Sequence, residues 1–294
     1  MKTPFVLALA LAGLGSPGRR GPPGRRVAWL HARPGRPGGR AANGPSATPR
    51  LAVFLACSLF AADAWAIDIP DVDAPDIVEH AATPAGFVPP GWRLEHETRG
   101  RLDGDGLDDA LLVLRMDAPA NIVDNTGLGP ARFDTNPRAL VAALATPDGR
   151  WRRVMANHSL LPRPASPVMD DVLAGDAASA VLIRPNRTWS VNLHSWASAG
   201  TWSTREVTYT FRLEGDCMRL VGLDEMHLHR GAGEITTTSV NYLTGRAWTR
   251  AGHVSEDAAG PEHWTRLPSA ARICIADIGD GLSFDARLSF VPAP

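Results

Sequence analysis

The residues best suited to chemistry stand in one short run, Asp224-Glu225-Met226-His227-Leu228-His229. If this run is a β-strand, alternate side chains share a face, so Glu225, His227 and His229 line up on one side while Met226 and Leu228 project from the other. A carboxylate and two imidazoles can hold a catalytic zinc, which activates a bound water in a metal-dependent hydrolase when one coordination position stays open. The same alternation has a plainer reading, in which Met226 and Leu228 face the core and the histidines face solvent. Other catalytic arrangements find less support. No Gly-x-Ser-x-Gly elbow occurs, and His194 and Ser195 would project to opposite faces of a strand. Asp170-Asp171 and the pair Asp277 and Asp280 read as turns or solvated loops rather than acid/base dyads.

A second candidate is the acidic stretch Arg101-Leu102-Asp103-Gly104-Asp105-Gly106-Leu107-Asp108-Asp109, which runs directly into the apolar segment Ala110-Leu111-Leu112-Val113-Leu114. A tight glycine-assisted loop can bring several carboxylates and a carbonyl to one centre, and a hard cation such as calcium takes about six to eight such oxygens. This stretch resembles the calcium loops of FG-GAP or VCBS repeats, the integrin-type propeller repeats, which place acidic oxygens at alternate positions around a glycine and then enter a strand. The resemblance implies a Ca2+ held by Asp103, Asp105, the Leu107 carbonyl and Asp109, an ion that pins a loop and runs no reaction. It covers the loop and the start of the strand, and it occurs once, whereas an integrin-type propeller needs several copies. One position departs from the pattern: Arg101 stands where the repeats carry Asp or Asn. The guanidinium removes a ligand and opposes a divalent ion, so the crowded carboxylates must be neutralised either by calcium or by Arg101, and Arg101 is the expected counter-ion. The stretch 208–248 resembles exported bacterial proteins carrying one such loop, a likeness that supplies no activity.

The elements that must position these groups are strands. Val207, Tyr209, Phe211 and Leu213 alternate with Thr208, Thr210 and Arg212, the period of a half-buried strand. Further strands are expected over 110–116, 139–145, 151–156, 180–183, 189–193, 218–229, 234–242 and 246–250. Turn signals separate them at Pro147-Asp148-Gly149, Pro185-Asn186, Glu214-Gly215-Asp216, Gly231-Ala232-Gly233 and Thr244-Gly245. Successive strands joined by short turns predict an all-β fold, antiparallel meanders forming a sandwich, a barrel or a small propeller-like domain. One or two short helices are expected with it, at 74–82 and 268–274.

Upstream the composition changes. Residues 1–50 are dominated by Gly, Pro and Arg and carry too little apolar surface to offset the entropy of ordering, so disorder is expected there. Arg50, the apolar run 51–60 and the triplet Ala64-Trp65-Ala66 form a signal-peptide pattern with cleavage after Ala66, which leaves 67–294 as a single mature domain. The run is too short to span a bilayer. Lys2 and the apolar stretch 5–14 are a competing start, and Cys57 a weaker lipidation site. The simpler account places the true translation start downstream of Met1, since a Gly/Pro/Arg stretch is what translated GC-rich upstream DNA looks like. The protein is therefore expected to be periplasmic or secreted. The first 66 residues hold nine basic residues and one acid, so the remainder carries 21 basic against 30 acidic residues, a net of −9. Such a domain repels phosphate backbones, which argues against a nucleic-acid partner.

Two cysteines remain in the mature part, Cys217 and Cys274, and an even number in an exported chain reads as one disulfide. Trp189, Trp196, Trp202, Trp248 and Trp264 either pack in the core or pave a carbohydrate- or peptide-binding surface. Two function classes follow. One is a binding or structural module of the cell envelope, contacting a cell-envelope ligand or protein; the other is a zinc hydrolase built on Glu225, His227 and His229.

Overall fold

The computed structural model describes residues 67–173, 176–256, 260–267 and 272–286. The expected leader and signal segment lie outside the described residues. The strands in chain order are β1 (His80–Ala81), β2 (Trp92–Gly100), β3 (Asp109–Met116), β4 (Ile122–Asp124), β5 (Arg132–Asp134), β6 (Arg138–Ala145) and β7 (Trp151–Asn157). A single helical turn, α1 (Ala177–Ala180), leads into β8 (Val181–Ile183), β9 (Thr188–Ser195), β10 (Ser203–Glu214), β11 (Cys217–His229), β12 (Glu234–Asn241), β13 (Arg246–His253) and β14 (His263–Arg266). The fold is nearly all β and antiparallel, as expected.

Two large sheets share the work. The first has the order β1-β7-β6-β3-β2, the second runs β14-β13-β12-β11-β10-β9-β8 as an uninterrupted meander, and β4 and β5 form a separate hairpin. Strand order in the second sheet follows from chain order because each connection is short. Gly215, Gly233 and Gly245, at φ of 67°, 74° and 64°, supply the left-handed residue in three of its hairpins.

The sheets form a sandwich, with no barrel closure. Leu111 and Val113 of β3 and Leu140 and Ala142 of β6 pack against Trp189, Val191, Val207, Tyr209 and Phe211 of the second sheet in one core. At one corner the sheets meet where Thr98 Oγ1 donates to the Val181 carbonyl at 3.0 Å. The opposite residues of β3 and β6, Ala110, Leu112, Leu114, Ala139, Val141 and Ala143, fill a second core with Ile77, Ala81 and Phe87. Both central strands are thus buried on both faces, and their sequences are continuous apolar runs rather than alternating ones.

That second core corrects one expectation. Residues 74–82 are not helical: the chain is extended here, Ile77 is buried, and His80 and Ala81 pair with Arg152 and Trp151. The apolar face that invited a helix instead covers the outer side of the first sheet, and an extended strand adds hydrogen bonds at the β7 edge. Of the second expected helix, 268–271 lie outside the described residues; Cys274 forms an isolated bridge with Arg219, and a 3₁₀ turn, Ile275–Asp277, follows.

Cys217 and Cys274 form a disulfide, with Cα atoms 5.5 Å apart. It anchors the segment after Cys274 to the start of β11, and that segment inserts Ile275 and Ile278 into the main core. Farther along it the Gly281 carbonyl accepts from Tyr209 Oη at 2.6 Å. Charge is anchored elsewhere by Arg138, whose guanidinium meets Glu95 and, through two hydrogen bonds, Asp171. Burial pushes the Glu95 and Asp171 carboxyls up, but the hydrogen bonds and charge of Arg138 outweigh it and hold both below the ordinary range.

Two outcomes follow. Opening the disulfide closes no loop of 57 residues in the unfolded chain, so reduction or Cys217→Ser should lower stability by about 4 kcal/mol on the chain-entropy model; urea melts with and without reductant measure it. Because Glu95 and Asp171 titrate below their unfolded values, their contribution is complete above the unfolded pKa and is lost as pH falls through the folded one. The stability gap between the native protein and Arg138→Met should therefore shrink between neutral pH and pH ~3, and a gap independent of pH would contradict the pairing.

Candidate functional site

Three groups of residues could carry function, and the fold places them on different surfaces. The acidic loop joins β2 to β3, and three of its four carboxylates, Asp103, Asp105 and Asp109, accept from the chain's own amides. Asp109 is fully buried; its Oδ2 accepts from the N–H of Leu102 at 2.7 Å and of Asp103 at 3.3 Å, and its Oδ1 accepts from Ala145 N–H at 3.1 Å. Burial pushes this carboxyl up against the pull of those donors. Asp103 Oδ1 accepts from the N–H of Asp105 and Asp105 Oδ1 from that of Leu107, at 3.0 and 2.8 Å, so two successive side-chain turns fold the loop. Leu107 N–H thus points into the loop as a donor. Arg101 is exposed and makes no ion pair among the described residues. A guanidinium that does approach the loop is that of Arg187, from the β8–β9 turn: a Cβ placed on Gly104 would lie 3.0 Å from its Nη1.

Glu225, His227 and His229 do share one face of β11, opposite Val207, Arg205 and Ser203 of β10. That face is the core face, since Val207 and Leu223 on it are fully buried. The reading in which Met226 and Leu228 point to the core is therefore corrected: they lie on the outer face. The cause is a β-bulge, in which Thr210 pairs with Gly222 and Phe211 with Leu220, leaving Val221 between them. Up to Leu220 the even positions point inward; beyond the bulge the odd ones do. Glu225 is taken up by Arg205 at 2.7 Å, and the same guanidinium donates to the carbonyls of Leu282 and, at 2.7 Å, Phe284. Glu225 thus orients the arginine that holds the C-terminal segment, while His227 and His229 are exposed. Among the described residues no three His, Cys, Asp or Glu side chains gather closely enough to hold a metal ion.

The third group lies on the outer face of the seven-stranded sheet. Of the five tryptophans weighed above, Trp189 is a core residue, stacked on Phe211 with ring centroids 4.7 Å apart. Trp196 packs under Arg230, and Trp202 is exposed near the β11–β12 turn. Trp248 and Trp264 are direct cross-strand partners on β13 and β14, and Trp264 is 52% exposed. The register carries this row across the sheet through Ser239, Asp224, Thr208 and Asn192. These polar groups are already tied to one another: Ser239 Oγ donates to Asp224 at 2.7 Å, and Asn192 Nδ2 donates to Thr208 at 2.9 Å and Glu206 at 3.0 Å. The row was readable as the polar half of the alternation around Val207, Tyr209 and Phe211. Its continuation into the tryptophan pair needed the register of strands that are far apart in sequence.

Comparison of the chain with protein-family models, with characterised proteins and with solved structures finds no match. No helix among the described residues is long and apolar enough to cross a membrane.

Asp109→Ala leaves three backbone N–H groups without their acceptor and should cost roughly 3 kcal/mol or more, read from denaturant melts. Since Asp103, Asp105 and Asp109 already accept from backbone amides, millimolar calcium should leave the melting temperature of the unaltered protein where it is. A rise of several degrees with calcium, abolished by Asp105→Ala, would show instead that the loop holds the ion.

Proposed function

We propose that this protein is an exported, periplasmic or secreted binding module of the cell envelope, and that its ligand is a glycan bound on the outer face of the seven-stranded sheet. The observation that carries this reading is the adjacent pair Trp248 and Trp264 continuing into a row of mutually oriented polar side chains. A pyranose ring has an apolar face and an equatorial rim of hydroxyls. Indole rings pack against the first, and hydroxyl, amide and carboxylate groups bond the second. Neighbouring strands present these groups on a flat, rigid surface whose opposite face is locked into the core, so little ordering is required on binding. The disulfide supports an oxidising compartment. The acidic loop serves as a structural turn in this reading, with Asp109 as its anchor.

The double variant Trp248→Ala/Trp264→Ala removes the aromatic surface without touching either core. In affinity electrophoresis against neutral and acidic polysaccharides, the unaltered protein should be retarded by at least one of them. The double variant should bind at least tenfold more weakly, a loss of about 1.4 kcal/mol or more. Equal retardation of the two proteins, or no retardation by any polysaccharide, would reject the glycan reading.

A further inference from the structure

Resting on that glycan reading, we infer that the ligand is acidic: Arg246 and Arg266, beside the tryptophan pair, form a site for the carboxylate of a uronic-acid unit. The two arginines are direct cross-strand partners on β13 and β14, two residues from Trp248 and Trp264 and on the same outer face. Both are exposed. Like charges placed directly opposite one another destabilise a sheet unless something neutralises them.

Two other opposed pairs are neutralised by carboxylates, and in a third, Arg93 opposite Arg115, the Arg115 side is. Arg115 and Arg138 are opposed on β3 and β6, and Glu95, Asp134 and Asp171 neutralise them. Arg212 and Arg219 are opposed on β10 and β11, and Glu214 bridges both. Arg246 and Arg266 have no carboxylate partner among the described residues. Arg246 instead lies over the Trp264 ring, with its guanidinium carbon 4.5 Å from the centroid. On the other side of the tryptophans, Arg250 lies over the Trp248 ring, 5.0 Å from its centroid, and is also neutralised by Glu262 at 2.6 Å. Among the described residues, positive charge without a carboxylate partner thus stands at one end of the aromatic pair.

A planar carboxylate fits between two guanidinium forks, each offering paired N–H donors, and the sugar that carries it would lie against the neighbouring indole. The pairing is charge-assisted and exposed, so it should weaken with salt. The overall net charge of −9 for residues 67–294 would repel a polyanion elsewhere on the surface and favour this one orientation.

The test uses the intact protein with polygalacturonate, alginate and hyaluronate as probes. Fully methyl-esterified polygalacturonate serves as the uncharged control, and dextran sulfate as the control for charge alone. Binding to at least one uronic-acid polymer should be tenfold or more tighter than to the methyl ester. Arg246→Gln and Arg266→Gln should each remove most of that preference without unfolding the protein, as the retained near-UV circular dichroism would show, and Arg266→Lys, which keeps the charge but loses the fork, should retain part of it. Equal affinity for acid and ester with undisturbed Arg variants would overturn this inference and leave the glycan reading standing. Tighter binding to dextran sulfate than to every uronic-acid polymer would also overturn it, as would binding to neutral glycans alone. Failure of all polysaccharides to bind would reject both.

Discussion

The fold depends on two adjacent strands with no solvent face. β3 and β6 are buried at nearly every position, so each must be covered twice, once by the seven-stranded sheet and once by the extended N-terminal segment carrying Ile77, Ala81 and Phe87. Neither cover is optional, because an uncovered side would expose a continuous apolar strip on two adjacent strands. The arrangement explains why a strand of only two residues, β1, matters: it fastens the cover to the sheet edge at β7.

Polar groups bracket this apolar pair. At one end Asp109 begins β3 and accepts from the N–H of Ala145 where β6 ends; at the other Arg138 begins β6 opposite Arg115 near the end of β3. The two most buried of these charges are tolerated because they are paired, Asp109 by amides and Arg138 by Glu95 and Asp171. They fix the register of strands whose side chains are apolar on both faces, so that a slip would exchange one apolar residue for another. With the first sheet set in this way, the second has one face committed to the core, and it is the other face that carries the tryptophan pair and the arginines that have no carboxylate partner among the described residues.

Much of this was legible in the sequence, and the exceptions have physical causes. The apolar runs at 110–116 and 139–145 and the strict alternation of β10 were readable as strands, and the glycine-bearing turns fell between them. β2 was not read, because Arg93, Glu95, Glu97 and Arg99 leave no simple apolar period; it is an edge strand, where charge is favoured. β14 was missed for a similar reason, as a four-residue edge strand of His, Trp, Thr and Arg. The inward face of β11 was misjudged because a single bulge at Val221 reverses parity, and its one local cue, the glycine beside it at Gly222, does not fix which residue is left unpaired. Glu225 was legible as a polar residue with a job, but its partner lies 20 positions away and acts on carbonyls near the C-terminus. The outer face was readable only in part: alternation marks its polar residues, whereas the opposition of Arg246 to Arg266 requires the pairing of β13 with β14.

The central claim is that ligand recognition belongs to the outer face of the seven-stranded sheet and not to the acidic loop or the histidine-bearing face of β11. Amide hydrogen exchange of the intact protein, with and without a uronic-acid oligosaccharide, locates the bound surface directly. The account predicts added protection in β13, β14 and the adjoining part of β12, with residues 101–109 and 225–229 unchanged. Protection confined to either of those two segments would contradict it.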